Sequence, residues 1–262
     1  METKKELKNL IAWTKEYLEK NTKGPIKAIV GLSGGIDSAI IASICAKAVG
    51  KDAVLGVILP CESALEDAID ATELAQKIGI RVVDMDLEPA FRVMWDTYRN
   101  SIGWPGQISG ILPSMNRMVK ANLKSRLRMC SLYLVANHAN ALVVGTTNKS
   151  EAMIGYATKY GDGGVDIEPI FEYYKHEVYD LAKELGDVPI ACINRAPSAG
   201  LWEEQTDAGE IGMDYNLIDH ILECIEEGVS PNVEIDDFKK IINMINGNLH
   251  KDLHLPHYSR RG

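Results

Sequence analysis

With 262 residues, 46% of them apolar, and a formal net charge of −9, the chain suits one large α/β domain with its own core. The acidic balance argues against a general nucleic-acid binder, which carries a basic face. No apolar run approaches the ~20 residues of a membrane span, so no membrane association is expected.

The first seven residues, Met1 to Leu7, lack the apolar region of a secretion leader. Thr3 and Glu6 have capping-box spacing, and Leu7, Leu10, Ile11, Thr14 and Leu18 follow a helical stripe, so the chain should begin with a docked helix. Apolar runs then alternate with helix-period segments. Strands are predicted over Ile26–Leu32, Ala53–Leu59, Arg81–Met85 and Ala141–Gly145, with a weaker fifth over Ile190–Ile193. Helices are predicted over Asp37–Val49, Glu62–Lys77, Pro89–Arg99 and Pro113–Asn137, and Gly103–Gln107 reads as a loop. In the last of these helices Leu123, Leu127, Cys130 and Leu134 form the expected buried stripe, beside which Arg126 would face water. Such strand–helix alternation predicts a doubly wound parallel sheet within a single domain spanning 1–262. The five cysteines are odd in number and dispersed, with no C-x-x-C or Cys/His cluster. They argue against disulfides and a zinc site, favour small core roles, and make a cytoplasmic location the default expectation.

The chemistry concentrates where strands should end. Gly31, Leu32, Ser33, Gly34, Gly35, Ile36, Asp37 and Ser38 follow the first strand and open directly onto a helix. Adjacent glycines let backbone amides approach an anion, and the helix N-terminus adds free N–H groups and a positive dipole end. Ser33 and Ser38 add hydroxyl donors, and Asp37 adds a carboxylate for a phosphate-bound cation, so the loop reads as a pyrophosphate cradle. It is neither a Walker A loop, which needs Lys after the glycines, nor the Rossmann G-x-G-x-x-G. Thr146 to Glu151 leave the strand ending at Gly145, toward the same sheet edge. Glu151 there is either a second carboxylate for Mg2+ or a helix-start residue compensating the dipole. Glycines flank Asp162 at three of four positions in Gly161–Gly164, which gives a tight loop open to ligand or a plain polar connection.

The run S-G-G-I-D-S resembles the PP-loop ATP pyrophosphatases, which share a Rossmann-like, adenine nucleotide α-hydrolase-like fold. G-L-S-G-G-I-D-S, L-K-S-R-L-R-M, G-T-T-N-K-S-E, T-K-Y-G-D-G-G-V-D-I-E-P-I, Y-K-H-E-V and A-P-S-A-G-L-W, in this order, resemble the ammonia-dependent NAD synthetases. The likeness continues through Glu204–Asp207 and Gly212–Tyr215 to His250-Lys251, nearly the whole chain.

That resemblance implies a ligase activity. The nicotinate carboxylate of deamido-NAD attacks the α-phosphate of ATP, pyrophosphate leaves, and ammonia displaces AMP to give NAD. It implies that Gly31–Ser38, Thr146, Lys175 and Ser198 bind ATP and that Asp37 and Glu151 hold Mg2+. Lys175 would supply the positive charge that the first loop lacks. Arg126, Lys159, Asp166, His250 and Lys251 would bind deamido-NAD; without the resemblance the last two read as a solvated tail. Asp162 is a candidate for steering ammonium, because a carboxylate beside an open loop can bind it and accept a proton. The family is homodimeric with its site at the interface, and 262 residues leave no room for an amidotransferase domain beside this one. The sequence departs from the family at Ala208, where an acid is usual, and in the tail after Lys251, which follows the usual basic run loosely. The alternatives are another PP-loop pyrophosphatase that amidates or thiolates a different acceptor such as tRNA, and a non-catalytic adenine-nucleotide sensor.

Overall fold

A computed structural model describes residues 2–101, 113–202 and 205–251. The Gly103–Gln107 loop, Glu204 and the tail from Asp252 lie outside them. Helix α1 (Glu2–Asn21) leads to strand β1 (Ala28–Gly31), helix α2 (Ile36–Val49), β2 (Val54–Ile58), α3 (Leu65–Ile78) and β3 (Arg81–Asp84). Next come α4 (Glu88–Ser101), the long α5 (Pro113–Ala139) and β4 (Leu142–Val144). The rest is helical: α6 (Lys149–Ile154), α7 (Lys175–Leu185), α8 (Ile190–Asn194), α9 (Asp207–Ile211), α10 (Tyr215–Glu227) and α11 (Ile235–Asn248).

The sheet order is β3-β2-β1-β4 and every pairing is parallel, as expected for a doubly wound α/β fold. Ile29 stands level with Leu55 on one side and Val143 on the other. Alternation along β1 sends Ala28 and Val30 into a core with α1, α2 and α7, while Ile29 enters a second core with Leu87, Phe91 and Ala136. All three β1 residues are fully buried, which is why the strand reads as a continuous apolar run. Helix α2 lies between α1, α7 and the sheet, so apolar side chains surround it instead of forming one stripe. A third core joins Ile154, Ile211, Ile218 and Ile241 and fastens the C-terminal helices over the carboxyl edge through α6.

Three expectations need correction. Ile190–Ile193 is not a strand: Pro189 sits at the N-cap position and starts the short α8, consistent with proline's preference for helix starts. Helix α1 is already under way at Thr3, so the Thr3/Glu6 spacing does not mark its cap. On α5, Leu123 and Leu127 pack against the second core, but Cys130 and Leu134 are exposed, Leu134 by 65%. The sheet instead draws in Leu132, Tyr133 and Ala136, one step around the helix. The other four cysteines are buried. Among the described residues, no helix is long and apolar enough to cross a membrane.

Candidate active site

Strand β1 delivers Leu32 to the sheet edge, where the serine–glycine turn begins. The N-cap residue of α2 is Gly35, which has no side chain to occupy the helix's first amides. The turn holds its own shape. The Ser33 amide donates to Ser38 Oγ at 3.3 Å, the Gly35 amide to Ser33 Oγ at 3.3 Å, and Ser38 Oγ to the Gly35 carbonyl at 3.0 Å. Gly34 has φ +77°, and a Cβ there would meet the Asp67 carbonyl at 2.9 Å and an Arg195 guanidinium nitrogen at 3.1 Å. The position excludes any side chain both by conformation and by space.

One cavity of about 730 Å3 opens from this turn along the carboxyl edge. At its floor, Lys175 is 2% exposed and donates to Asp37 Oδ2 at 2.6 Å and to Glu151 Oε1 at 3.1 Å. The lysine comes from the start of α7, Asp37 from the first turn of α2, and Glu151 from the first turn of α6. Burial alone would pull the Lys175 ammonium down, but the two carboxylates outweigh it and hold its pKa above the ordinary value. Burial pushes the Glu151 carboxyl up to about 7, opposed by Lys175 and reinforced by Asp37 and Asp207.

Glu151 does serve as a helix-start residue. Asn148 caps α6 by accepting from the Glu151 amide at 3.0 Å, and Glu151 Oε2 accepts in return from the Asn148 amide at 3.4 Å. Its other oxygen is left for the cavity floor. Fully buried Asn148 also donates from Nδ2 to Asp37 Oδ1 at 3.0 Å, so one side chain aligns both acids. Because Asp37 and Glu151 already converge on one cation, the Lys175 ammonium, their oxygens can share another. Two carboxylates suit Mg2+ when phosphate oxygens complete its shell. Among the described residues, no group of three or more acids, histidines or cysteines could hold a metal.

The other sequence-derived residues gather on the same walls. Thr146 and Ser198 line the cavity, as do Arg126, Lys159, Asp162, His250 and Lys251. Asp162 Oδ1 accepts from Ser125 Oγ at 2.7 Å and from the Thr158 amide at 2.9 Å, which ties the glycine loop to α5. Arg126 Nε donates to the Lys159 carbonyl at 3.2 Å, Lys159 Nζ donates to the His250 carbonyl, and Lys251 Nζ donates to the Gly155 carbonyl at 2.7 Å. Asp166 stands apart. Its carboxylate accepts from Tyr133 Oη at 3.0 Å and from the Val143 amide at 2.8 Å, and it is not part of the cavity wall.

Three further residues on or beside the wall were given no role by the sequence. Arg195 pairs with Asp70 at 2.7 Å and with Asp67, beside the Gly34 backbone. Arg128 donates to the Leu59 carbonyl at 3.2 Å, and to Ser63 Oγ and the Gly200 carbonyl at 3.0 Å each, joining α5 to the end of β2 and to the Ser198 segment. Tyr215 Oη donates to Asp207 Oδ2 at 3.0 Å from the start of α10. Arg128 and Tyr215 stand inside runs that carry the family likeness, L-K-S-R-L-R-M and Gly212–Tyr215, whereas Arg195 only directly precedes Ala196-Pro197-Ser198.

The sequence model of the NAD synthase family matches residues 6–255. The NH3-dependent NAD+ synthetase of Methanosarcina mazei is 42% identical over 221 residues, covering 83% of this chain and 81% of that one. Among solved structures, the NMN synthetase of Francisella tularensis superposes with a TM-score of 0.83 at 32% identity over 98% of both chains. The NH3-dependent NAD synthetase of Campylobacter jejuni, in complex with the nitrate ion, gives a TM-score of 0.77 at 25% identity, over 99% of this chain and 100% of that one. With its serine–glycine turn, paired acids and buried lysine at one parallel-sheet edge, the chain belongs to the NAD synthase family.

Proposed function

We propose that this protein is an ammonia-dependent ligase that converts deamido-NAD to NAD, with ATP as co-substrate. One observation supports this most: the anion-binding turn, the Asp37–Lys175–Glu151 floor and the Asp162 loop open into one cavity. ATP needs the first two, and a second substrate fits against the third.

The nicotinate carboxylate is a poor acyl donor, because its leaving group would be oxide. Its oxygen therefore attacks the α-phosphorus, the bond to the β-phosphate oxygen breaks, and pyrophosphate departs. Gly31–Ser38 hold that pyrophosphate through backbone amides and the two serine hydroxyls, while Thr146 and Ser198 position the nucleotide. Lys175 offsets its charge and fixes both acids. Asp37 and Glu151 hold Mg2+, which supplies charge neutralisation at the phosphates. Arg126, Lys159, His250 and Lys251 place cations along the dinucleotide, and Asp166 accepts from one of its hydroxyls in an assembled dimer. Ammonia then attacks the acyl carbon, the carbon–oxygen bond to AMP breaks, and one proton is released. Catalysis of this kind rests on positioning and on preset electrostatics.

Free ammonia is the nitrogen donor in this reading, as the names of the NH3-dependent relatives suggest. The working form is a homodimer in the cytoplasm. Exposed Val119, Cys130 and Leu134 along α5 offer an apolar face for the second copy. The test combines purified protein with ATP, Mg2+, ammonium and deamido-NAD and quantifies products by mass spectrometry. Equal amounts of NAD, AMP and pyrophosphate are expected. AMP without NAD would overturn the substrate, and ADP would overturn the mechanism. Because a structural neighbour is an NMN synthetase, nicotinic acid mononucleotide belongs in a parallel reaction; faster turnover of it would replace the dinucleotide as substrate. ATP binding without turnover would favour the sensor.

A further inference from the structure

Beside the Lys175 floor lies a corner of the cavity that the steps above do not use. Asp207, at the start of α9, is 3% exposed and belongs to the cavity wall. Its Oδ2 accepts from Tyr215 Oη at 3.0 Å, but its Oδ1 is buried and has no hydrogen-bond partner among the described residues. Tyr156 is within hydrogen-bonding reach of the Asp207 carboxyl, but its one hydroxyl proton cannot serve both that group and Glu210 Oε2, which accepts from it at 2.8 Å. Gln205 Nε2 donates to the same Glu210 oxygen at 2.9 Å and to Tyr156 Oη at 3.5 Å, so neither of its protons reaches Asp207. The corner therefore holds more acceptors than donors, and a buried carboxylate oxygen without a donor costs free energy.

A ligand that completes this corner must bring N–H donors and positive charge and must be small. We propose that Asp207 Oδ1, with the hydroxyl oxygen of Tyr156, binds the ammonium ion, which passes one proton to the Asp207 carboxylate before the resulting ammonia attacks the acyl carbon. Ammonium offers four tetrahedral donors and the charge that Asp207 lacks. The neighbouring Lys175 shows that an ammonium group fits these surroundings: its Nζ is held by two carboxylates and lies 5.0 Å from the centre of the Tyr215 ring. Asp162, the candidate offered by the sequence, is exposed and already spends one oxygen on Ser125 and Thr158. The assignment rests on the ligase reading above and adds to it the place where nitrogen enters.

Adenylation needs no ammonia, so the two halves of the reaction can be read separately. Exchange of labelled pyrophosphate into ATP, driven by deamido-NAD, reports the first half; NAD formation against ammonium chloride at fixed pH reports the second. Asp207→Asn should raise the KM for ammonium at least tenfold while the exchange rate and the KM for ATP stay within twofold, and high ammonium should restore turnover. Tyr156→Phe should raise the ammonium KM severalfold with exchange retained, and it carries the test if the Asp207 variant does not fold. An unchanged ammonium KM in both variants overturns the assignment. So does exchange lost in parallel with NAD formation, because Asp207 would then serve the phosphates. If the unaltered protein shows no exchange with deamido-NAD, the ligase reading fails and the ammonium site with it; exchange in the unaltered protein confines any failure to Asp207.

Discussion

Lys175 carries the site at the scale of single residues. Two carboxylates from separate helices share its ammonium, and it is buried, so neither acid has a comparable replacement partner. Removing one member of a buried ion pair costs ~3–5 kcal/mol, because the remaining charge is left uncompensated. Lys175→Met is therefore expected to lower the melting temperature by roughly 6–15 °C in a calorimetric scan. A midpoint within two degrees of the parent would show that water already relieves the pair. Gly34 is the other position without slack. Its left-handed φ and the nearby Asp67 carbonyl put Gly34→Ala at a cost of about 1–3 kcal/mol, borne by the turn and not by the core. Weaker ATP binding in titration calorimetry, with a nearly unchanged circular dichroism spectrum, is the expected outcome.

At the scale of elements, α5 acts as a brace. Through Arg128 it reaches the end of β2, the start of the α3 connection and the Ser198 segment, and through Ser125 it holds the Asp162 loop. Burial lowers the Arg128 pKa, opposed by Cys61, Asp67 and Asp162, but a guanidinium starts so high that it stays charged while donating its three hydrogen bonds. Arg128→Met keeps the apolar stem but orphans the Leu59 and Gly200 carbonyls. Hydrogen exchange measured by mass spectrometry should quicken in residues 196–202 while the amides of β1 stay protected. Equal loosening of both would mean that Arg128 supports the whole sheet instead of one wall.

For the whole molecule, pH exposes a tension in the buried acids. Burial pushes the Glu168 carboxyl up to about 7, with Thr147 opposing and Asp162 adding to the rise. A carboxyl whose pKa is raised by folding binds its proton more tightly in the native state. Its contribution is fully present below the unfolded value near 4.5 and is lost as pH rises toward 7. Glu168→Gln removes that dependence. Relative to the parent, the variant should gain stability between pH 5 and pH 8, on the order of 2 kcal/mol, when urea midpoints are compared. A constant difference across that range would place the carboxyl in contact with water. The apolar face along α5 makes a separate prediction for the assembly: Leu134→Lys should shift light-scattering mass from two chains toward one and reduce NAD formation with it. A single-chain mass for the parent would leave that face without its proposed partner.

What could be read without coordinates was whatever depends on neighbours in sequence. Continuous apolar runs marked β1, β2 and β4 because a strand buried on both faces needs no alternation, β3 showed only the Val82-Val83 pair between charged ends, and the turn at Ser33–Ser38 announced itself because glycines and hydroxyls act within a few residues of one another. The run at Ile190–Ile193 was equally apolar, and only Pro189 and the packing of α8 made it a helix. The stripe on α5 failed for a related reason: helical period tells which residues share a face, not which face the sheet takes. Asp37 and Glu151 could be named singly, but their joint grip on Lys175, across 138 and 24 residues of chain, exists only after α2, α6 and α7 converge. Asp207 stands in the Glu204–Asp207 stretch of the family likeness, but its buried oxygen without a donor had no local signature, since hydrogen-bond satisfaction belongs to the folded surroundings and not to the residue.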